Sequence, residues 1–124
     1  MRQSNHFTMQ DLNSIINQID KFSNDRDWNQ FHSPKNLAAS ICIEASELLE
    51  CLQWDNPSLE EVKTREELQA NLKDELADVL IYALRFCSKM EFNPIEIIER
   101  KLLINREKYP VEKSFGSSKK YDSM

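Results

Sequence analysis

The sequence contains few of the residues that make tight turns: one glycine, Gly116, and four prolines among 124 residues. No Asn-Gly or Asp-Gly pair is present, which argues against a fold built from β-hairpins and favours helices. The longest nearly apolar run, Leu76 to Cys87, contains Asp78 and Arg85 and is too short to span a bilayer. The first ten residues lack the apolar core of a signal peptide, so a cytoplasmic location is expected.

An excess of basic charge and paired cysteines are lacking as well. The net charge is −5, whereas general nucleic-acid binders present a basic surface, so neither nucleic acid nor a membrane is expected as a partner. The three cysteines, Cys42, Cys51 and Cys87, form no CxxC pair and lie in helical apolar contexts. We interpret them as reduced packing residues.

Helical periodicity predicts an all-α fold resembling a four-helix bundle. A chain of this length buries one modest core, so residues 1–124 are predicted to form a single domain, with its core at about 8–110 and a polar tail at 111–124. Residues 26–34 read as a loop, and Ser58 begins a short turn or helix. The four helices are predicted from caps and breakers to run from Thr8 to about Asp25, from Ser33 and Pro34 to about Trp54, from Thr64 to about Lys89, and from Asn93 to about Lys108.

Two of the predicted helices carry acids beside apolar stripes that are expected to face the core. The stripe of the second helix is formed by Ile41, Ala45, Leu48, Leu49 and Leu52, and that of the third by Leu72, Leu76, Val79, Leu80 and Ala83. On a helical wheel Glu44 and Glu47 share one shoulder of the stripe of the second helix. Glu75 and Asp78 occupy the same two positions on the third helix. Glu50 points away from the stripe and reads as a solvated residue. If the two helices pack antiparallel, the four carboxylates meet.

Four converging carboxylates repel one another, and their burial is costly unless a cation compensates. Oxygen ligands without interleaved cysteine or histidine suit Mg²⁺, with Mn²⁺ as a substitute, and Mg²⁺ commonly shares its ligand shell with substrate phosphates. A di-iron site is disfavoured because it needs Glu-x-x-His on two helices, and neither His6 nor His32 follows a glutamate by three. The alternative is that these acids are solvated flanks of amphipathic helices.

The segments EASELLE, DELADVLIYAL and KLLINREKYP resemble the MazG-like all-α nucleoside triphosphate pyrophosphohydrolases. Within that superfamily the loop DRDWNQFHSPKNLA, the pair Gln53-Trp54 and the tail Lys120-Tyr121 are similar to the dCTP pyrophosphatase branch. The resemblance covers roughly residues 8–121. It implies hydrolysis of a nucleoside triphosphate, dCTP or a related deoxynucleotide, to the monophosphate and pyrophosphate. It also implies a dimer or a tetramer built as a dimer of dimers, with active sites near the subunit contact.

By the same resemblance, Mg²⁺ would be held by Glu44, Glu47, Glu75 and Asp78. A carboxylate not saturated by metal can take the proton of the attacking water, and Glu47 is the predicted base, although Glu44 is spaced equally well. Aromatic rings would stack on the base, amides would read base edges, and basic groups would meet phosphates. The predicted substrate-binding residues are Trp28, Asn29, Gln30, Phe31, His32, Trp54, Tyr82, Lys101, Asn105 and Lys108.

Two other readings stay open. One is a hydrolase of the same superfamily with another substrate, phosphoribosyl-ATP or dUTP, because the dCTP branch has a substrate-binding histidine where this chain has Ile19. The other is a non-catalytic helical interaction module. In either case Ile81 and Leu84 make the third helix apolar nearly all round, which predicts a subunit contact.

Overall fold

The computed structural model describes residues 9–118, and every regular element in that range is helical. The predicted all-α fold is therefore confirmed. The elements are α1 Met9–Asp25, a 3₁₀ helix Trp28–Phe31, α2 Pro34–Glu50, α3 Leu59–Lys63, α4 Glu66–Met90, α5 Pro94–Lys108 and α6 Val111–Ser114. None of these helices is long and apolar enough to cross a membrane.

Side-chain caps set two of the helix starts as predicted. The Ser33 hydroxyl accepts a hydrogen bond of 3.2 Å from the backbone N–H of Asn36, and Pro34 takes the first position of α2. The carboxamide oxygen of Asn93 caps α5 in the same way. The predicted cap at Thr8 lies outside the described residues.

Two boundaries differ from the prediction. α2 ends at Glu50, and residues 51–54 form turns, so the predicted end at Trp54 was too late. Thr64 does not begin α4, because it closes α3 instead, its hydroxyl donating a 2.8 Å hydrogen bond to the carbonyl of Glu61. A threonine hydroxyl satisfies a free carbonyl at a helix end as readily as it accepts from an N–H at a helix start, and the sequence pattern does not distinguish the two.

The chain divides into two compact units, the first ending at Glu91 and the second beginning at Phe92. The first contains α1 to α4 and the second contains α5 and α6; the single domain predicted from length stays a prediction. In the first unit α2 packs along α4 and α1 also contacts α4. The helices α2 and α4 run antiparallel, because His32, just before α2, meets Arg85, whereas Glu44 further along α2 meets Glu75.

The buried core of the described chain is small. Several residues that were predicted to form core stripes are in fact half-exposed or more, namely Leu49 at 67%, Leu76 at 46% and Leu80 at 53%. Two packed helices cover only one side of each other, so the outer part of each stripe keeps its contact with solvent. Cys42 is exposed as well, and its predicted packing role is wrong, whereas Cys87 is buried. The buried apolar residues are Ile19, Leu37, Leu68 and Cys87.

Within residues 9–118, two residues other than glycine adopt left-handed backbone conformations. Asp27, with φ of 55°, precedes the 3₁₀ helix, and Glu91, with φ of 58°, closes α4. The N–H of Glu91 donates to the carbonyls of Cys87 and Ser88, which the end of the helix would otherwise leave unpaired.

Candidate functional site

Acidic side chains from α2 and α4 converge at the middle of their packing. Glu44, Glu75 and Asp78 each offer one carboxylate oxygen, and these three oxygens lie within 4.8 Å of one another. The carboxyl group of Glu47 lies close enough to those of Glu44 and Glu75 to raise the pKa of both. The structure therefore brings together all four acids singled out in the sequence.

The surroundings of this cluster disfavour its negative charge. Oε2 of Glu44 and Oε2 of Glu75 are shielded from solvent and have no hydrogen-bond partner among the described residues. Loss of solvation, the hydrogen bond with Glu47 and the charges of Glu47, Asp78 and Glu75 raise the pKa of Glu44 to about 7. Loss of solvation and the neighbouring acids, Glu47 first, also raise the pKa of Glu75.

The four carboxylates fit a hard divalent cation. None of them forms an ion pair with a lysine or arginine within residues 9–118. An all-oxygen donor set with shielded, unpartnered oxygens is what Mg²⁺ or Mn²⁺ satisfies, because the cation compensates the charge and takes up the free lone pairs. This cluster is therefore a candidate metal centre.

A cavity of about 390 Å³ opens beside the carboxylates, within the first unit. Its walls are mainly aromatic and aliphatic, with acids and an arginine among them. Ligand pockets of this size generally combine apolar walls with a few polar groups. The lining residues are Gln18, Ile19, Phe22, Ser23, Trp28, His32, Glu44, Asp78, Ile81, Tyr82 and Arg85.

Aromatic rings follow one another along this cavity. Ring centroids are 5.5 Å apart for Phe22 and Trp28, 6.2 Å for Trp28 and His32, and 6.4 Å for His32 and Tyr82, all in edge-on geometry. Burial and the nearby carboxylates of Glu44 and Asp78 raise the pKa of the Tyr82 phenol, which stays protonated and able to donate. Trp28, His32 and Tyr82, three of the residues predicted to bind substrate, thus line one cavity, and their contact with substrate stays a prediction.

Arg85 organises one end of the cavity, a role that was not predicted from the sequence. Its buried guanidinium donates from Nε to Nδ1 of His32 at 3.0 Å and from Nη1 to Oδ1 of Asp20 at 2.7 Å. Its Nη2 donates to the carboxamide oxygen of Asn29. Asp20 also accepts a 2.6 Å hydrogen bond from the Ser88 hydroxyl. The available signal was an arginine inside an apolar run, because a charge in that position requires a buried partner.

The amides of the predicted substrate loop are engaged within the protein. Asn29 donates to the carboxamide oxygen of Asn24 as well as accepting from Arg85. Gln30 donates to the carboxylate of Asp27 at 3.0 Å and to its carbonyl at 3.2 Å. These bonds hold the 3₁₀ helix in place, and direct contact of either amide with a substrate stays a prediction.

The other predicted substrate residues lie away from this cavity or in the second unit. Phe31 lines a smaller neighbouring cavity together with His32 and Tyr82. Trp54 is 89% exposed after the end of α2, a helix about 25 Å long that separates it from Trp28. The three residues predicted on the fourth helix, Lys101, Asn105 and Lys108, all lie on α5, and their contact with substrate stays a prediction.

Comparisons with known proteins identify the family of the chain. Residues 39–124 match the model of the MazG-like family. The chain is 36% identical over 107 residues to dCTP pyrophosphatase 1 of Bos taurus and 36% identical over 108 residues to that of Homo sapiens. Each alignment covers 84% of this chain but only 62% of the relative's length. A solved pyrophosphatase from Archaeoglobus fulgidus is 43% identical, with a TM-score of 0.70, over 89% of this chain and 99% of its own.

Proposed function

The chain belongs to the MazG-like family, and we propose that it is a Mg²⁺-dependent nucleoside triphosphate pyrophosphohydrolase. The reaction would be nucleoside triphosphate plus water to nucleoside monophosphate plus pyrophosphate, serving the nucleotide pool of the cytoplasm. One observation carries the proposal: four clustered carboxylates, two of which have a shielded oxygen without a hydrogen-bond partner, stand beside a cavity walled by aromatic rings. The cluster suits the metal and its phosphates, and the rings suit a nucleoside.

The four carboxylates would hold the cation, which when bound neutralises phosphate charge and lowers the pKa of a water. We assign the base that takes the water's proton to Glu47. Its carboxyl lies next to those of Glu44 and Glu75 but outside the trio of oxygens that converge within 4.8 Å. A carboxylate at the metal site that the cation does not saturate can accept a proton. The hydroxyl group of Tyr82 would donate a hydrogen bond to the substrate.

The proposed substrate is dCTP or a related deoxynucleotide, because relatives named dCTP pyrophosphatase cover most of the chain. Ile19 lines the cavity and presents an apolar wall where the resemblance implied a histidine, so this wall of the proposed base pocket offers no hydrogen-bonding side chain. Incubation with each nucleoside triphosphate and Mg²⁺, followed by separation of products, tests this. Pyrophosphate with monophosphate supports the proposal, and orthophosphate with diphosphate contradicts it. Preference for dUTP or phosphoribosyl-ATP would replace the substrate and keep the chemistry.

Stabilisation by Mg²⁺ is expected to grow as pH rises from 6 to 8. In the folded chain the pKa of Glu44 is about 7, above its ordinary value of 4.5, so between these values the folded chain binds more protons than the unfolded chain. The stability of the metal-free protein therefore falls as pH rises through that window, whereas the ionised carboxylate needed by the metal becomes available. Melting temperatures with and without MgCl₂ at pH 6, 7 and 8 measure the effect.

A matched NaCl series controls for ionic strength. An equal MgCl₂ shift at all three pH values would show that Glu44 does not titrate on binding, and no shift at any pH would contradict the metal site.

We further propose that the chain self-associates as a dimer or as a dimer of dimers. Leu76, Leu80 and Ile81 leave a large apolar area of α4 in contact with water, and such patches commonly mark subunit contacts. Trp54 lies outside the cavity of its own chain, so its predicted substrate contact would be made in a second copy.

Light scattering at micromolar concentration is expected to give a multiple of the chain mass of 14.6 kDa. Leu80→Glu should reduce the mass to that of one chain, because it places a charge in the apolar contact. Leu59→Glu is the control, since Leu59 is exposed on α3 outside this patch. A wild-type monomer would contradict the assembly.

A further inference from the structure

The hydrogen bond from Arg85 to His32 determines which imidazole nitrogen carries the proton. Nε of an arginine always bears hydrogen and has no lone pair to offer, so in this 3.0 Å contact it is the donor. Nδ1 of His32 must therefore be the unprotonated nitrogen. In a neutral imidazole the single proton is then on Nε2.

The imidazole stays neutral near pH 7. Burial, and then the positive charges of Arg85 and Lys89, lower the pKa of His32. Protonation of Nδ1 would also remove the acceptor of the Arg85 hydrogen bond and place two donors against each other. Charge and hydrogen bonding therefore favour the same form of the ring.

Arg85 is held in place independently of His32. Its guanidinium is buried, paired with the carboxylate of Asp20 from α1 and bonded to the carboxamide of Asn29. A planar group fixed at two corners has its Nε–H direction fixed as well. Its orientation toward Nδ1 is thus set by α1 and the 3₁₀ helix rather than by the imidazole.

The proton on Nε2 is available to a ligand. None of the described residues bonds to Nε2, and His32 lines both the large cavity and the neighbouring cavity of about 310 Å³. On α4, Arg85 follows Asp78 by seven residues, which is about 10 Å along the helix axis. Arg85, which holds the imidazole, therefore lies about two helical turns from Asp78. A nucleotide with its phosphates at the acids would bring its sugar and base to this end.

We propose that Arg85 is a positioning residue that fixes His32 as the Nε2–H tautomer, and that this N–H donates to an acceptor on the nucleoside part of the substrate. The identity of the ligand rests on the proposed function, whereas the tautomer does not. The two parts are accordingly tested by different measurements.

The tautomer is read directly from two-bond ¹H–¹⁵N spectra of the ligand-free, ¹⁵N-labelled protein. The sequence contains only His6 and His32, so a His32→Asn variant assigns the signals. The expected wild-type pattern has a bare Nδ1 and a protonated Nε2. Arg85→Met should give the averaged pattern of a free imidazole. Ser88→Ala is the control, because it removes a hydrogen bond to Asp20 and none to the imidazole.

The end of the ligand that His32 meets is tested by inhibition with the two products. The carboxamide of His32→Asn can replace Nδ1 as the partner of Arg85 but provides nothing at the position of Nε2. We expect it to weaken inhibition by a nucleoside monophosphate about three- to tenfold, the usual effect of one neutral hydrogen bond, and to leave inhibition by pyrophosphate unchanged.

A wild-type spectrum with the proton on Nδ1, or with both tautomers populated, overturns the role of Arg85 whether or not any variant folds. Weaker inhibition by pyrophosphate rather than by the monophosphate overturns the assignment to the nucleoside end. If the wild-type protein hydrolyses no triphosphate, the proposed function fails, and the spectrum still decides the tautomer.

Discussion

Glu75→Gln is expected to lower triphosphate turnover about 10²-fold or more while leaving the metal-free fold as stable as before, or more stable. Removal of one ligand charge weakens the metal and its hold on the phosphates. Burial and neighbouring acids already raise the pKa of Glu75, so its ionised form is disfavoured in the folded chain, and a neutral amide removes that repulsion. Steady-state kinetics and thermal unfolding, both with and without MgCl₂, measure the two effects.

Glu50→Gln is the matched control, because Glu50 is exposed on α2. The substitution makes the same chemical change as Glu75→Gln but outside the cluster. It should leave both turnover and the MgCl₂ shift unaltered. Glu47→Gln should also lose turnover, through loss of the proposed base. If Glu75→Gln and Glu47→Gln retain wild-type turnover, or if the wild type has none, the carboxylates have another role. The non-catalytic interaction module would then be the better reading.

Arg85→Met is expected to destabilise the first unit by about 2–4 kcal/mol. The guanidinium is buried, with its side chain only 4% exposed, and its ion-pair partner Asp20 is 26% exposed. Removal of one member of a buried pair leaves the other charge uncompensated, which costs roughly 3–5 kcal/mol when burial is complete and less when water still reaches it. The melting temperature should fall by roughly 10–20 °C. Calorimetry or denaturant unfolding measures the change.

Lys21→Ala tests whether the effect comes from burial rather than from loss of an ion pair as such. Lys21 also pairs with an aspartate, Asp25, at 2.8 Å, but both side chains are exposed on α1. Pairs of this kind contribute roughly 0–1 kcal/mol. Equal losses for Arg85→Met and Lys21→Ala would contradict the buried network.

Local signals in the sequence were sufficient to predict that the chain is helical, where two of the helices begin, and which acids meet when the second and third predicted helices pack antiparallel. Ser33-Pro34 and Asn93-Pro94 are start signals whose physics depends only on neighbouring residues, and both hold in the structure. The acids converge because they lie on the same shoulder of the apolar stripe in each of two helices, and these helices pack antiparallel.

The other features of the fold and of the site depend on contacts between residues far apart in the sequence, which no local pattern specifies. Arg85 reaches Asp20 across 65 positions of sequence and Asn29 across 56. The exposure of Leu76 and Leu80 depends on what covers the outer side of α4. An apolar stripe in the sequence predicts that these side chains are covered, but it does not identify what covers them. The sequence likewise predicted that Asn29 contacts the substrate, but it did not reveal that the Asn29 amide is hydrogen-bonded to Asn24 and Arg85.

The residue that closes α4, Glu91, is a position at which the stability of the fold can be increased by substitution. A left-handed backbone suits glycine, and a side chain with a Cβ there costs roughly 1 kcal/mol, which this glycine-poor chain accepts at Glu91. Glu91 lies thirteen residues beyond Asp78, about 20 Å along the helix, and lines neither aromatic cavity. Thermal tolerance can therefore be raised at the helix end without disturbing the chemistry, which suggests that natural selection has not driven this fold to its stability limit.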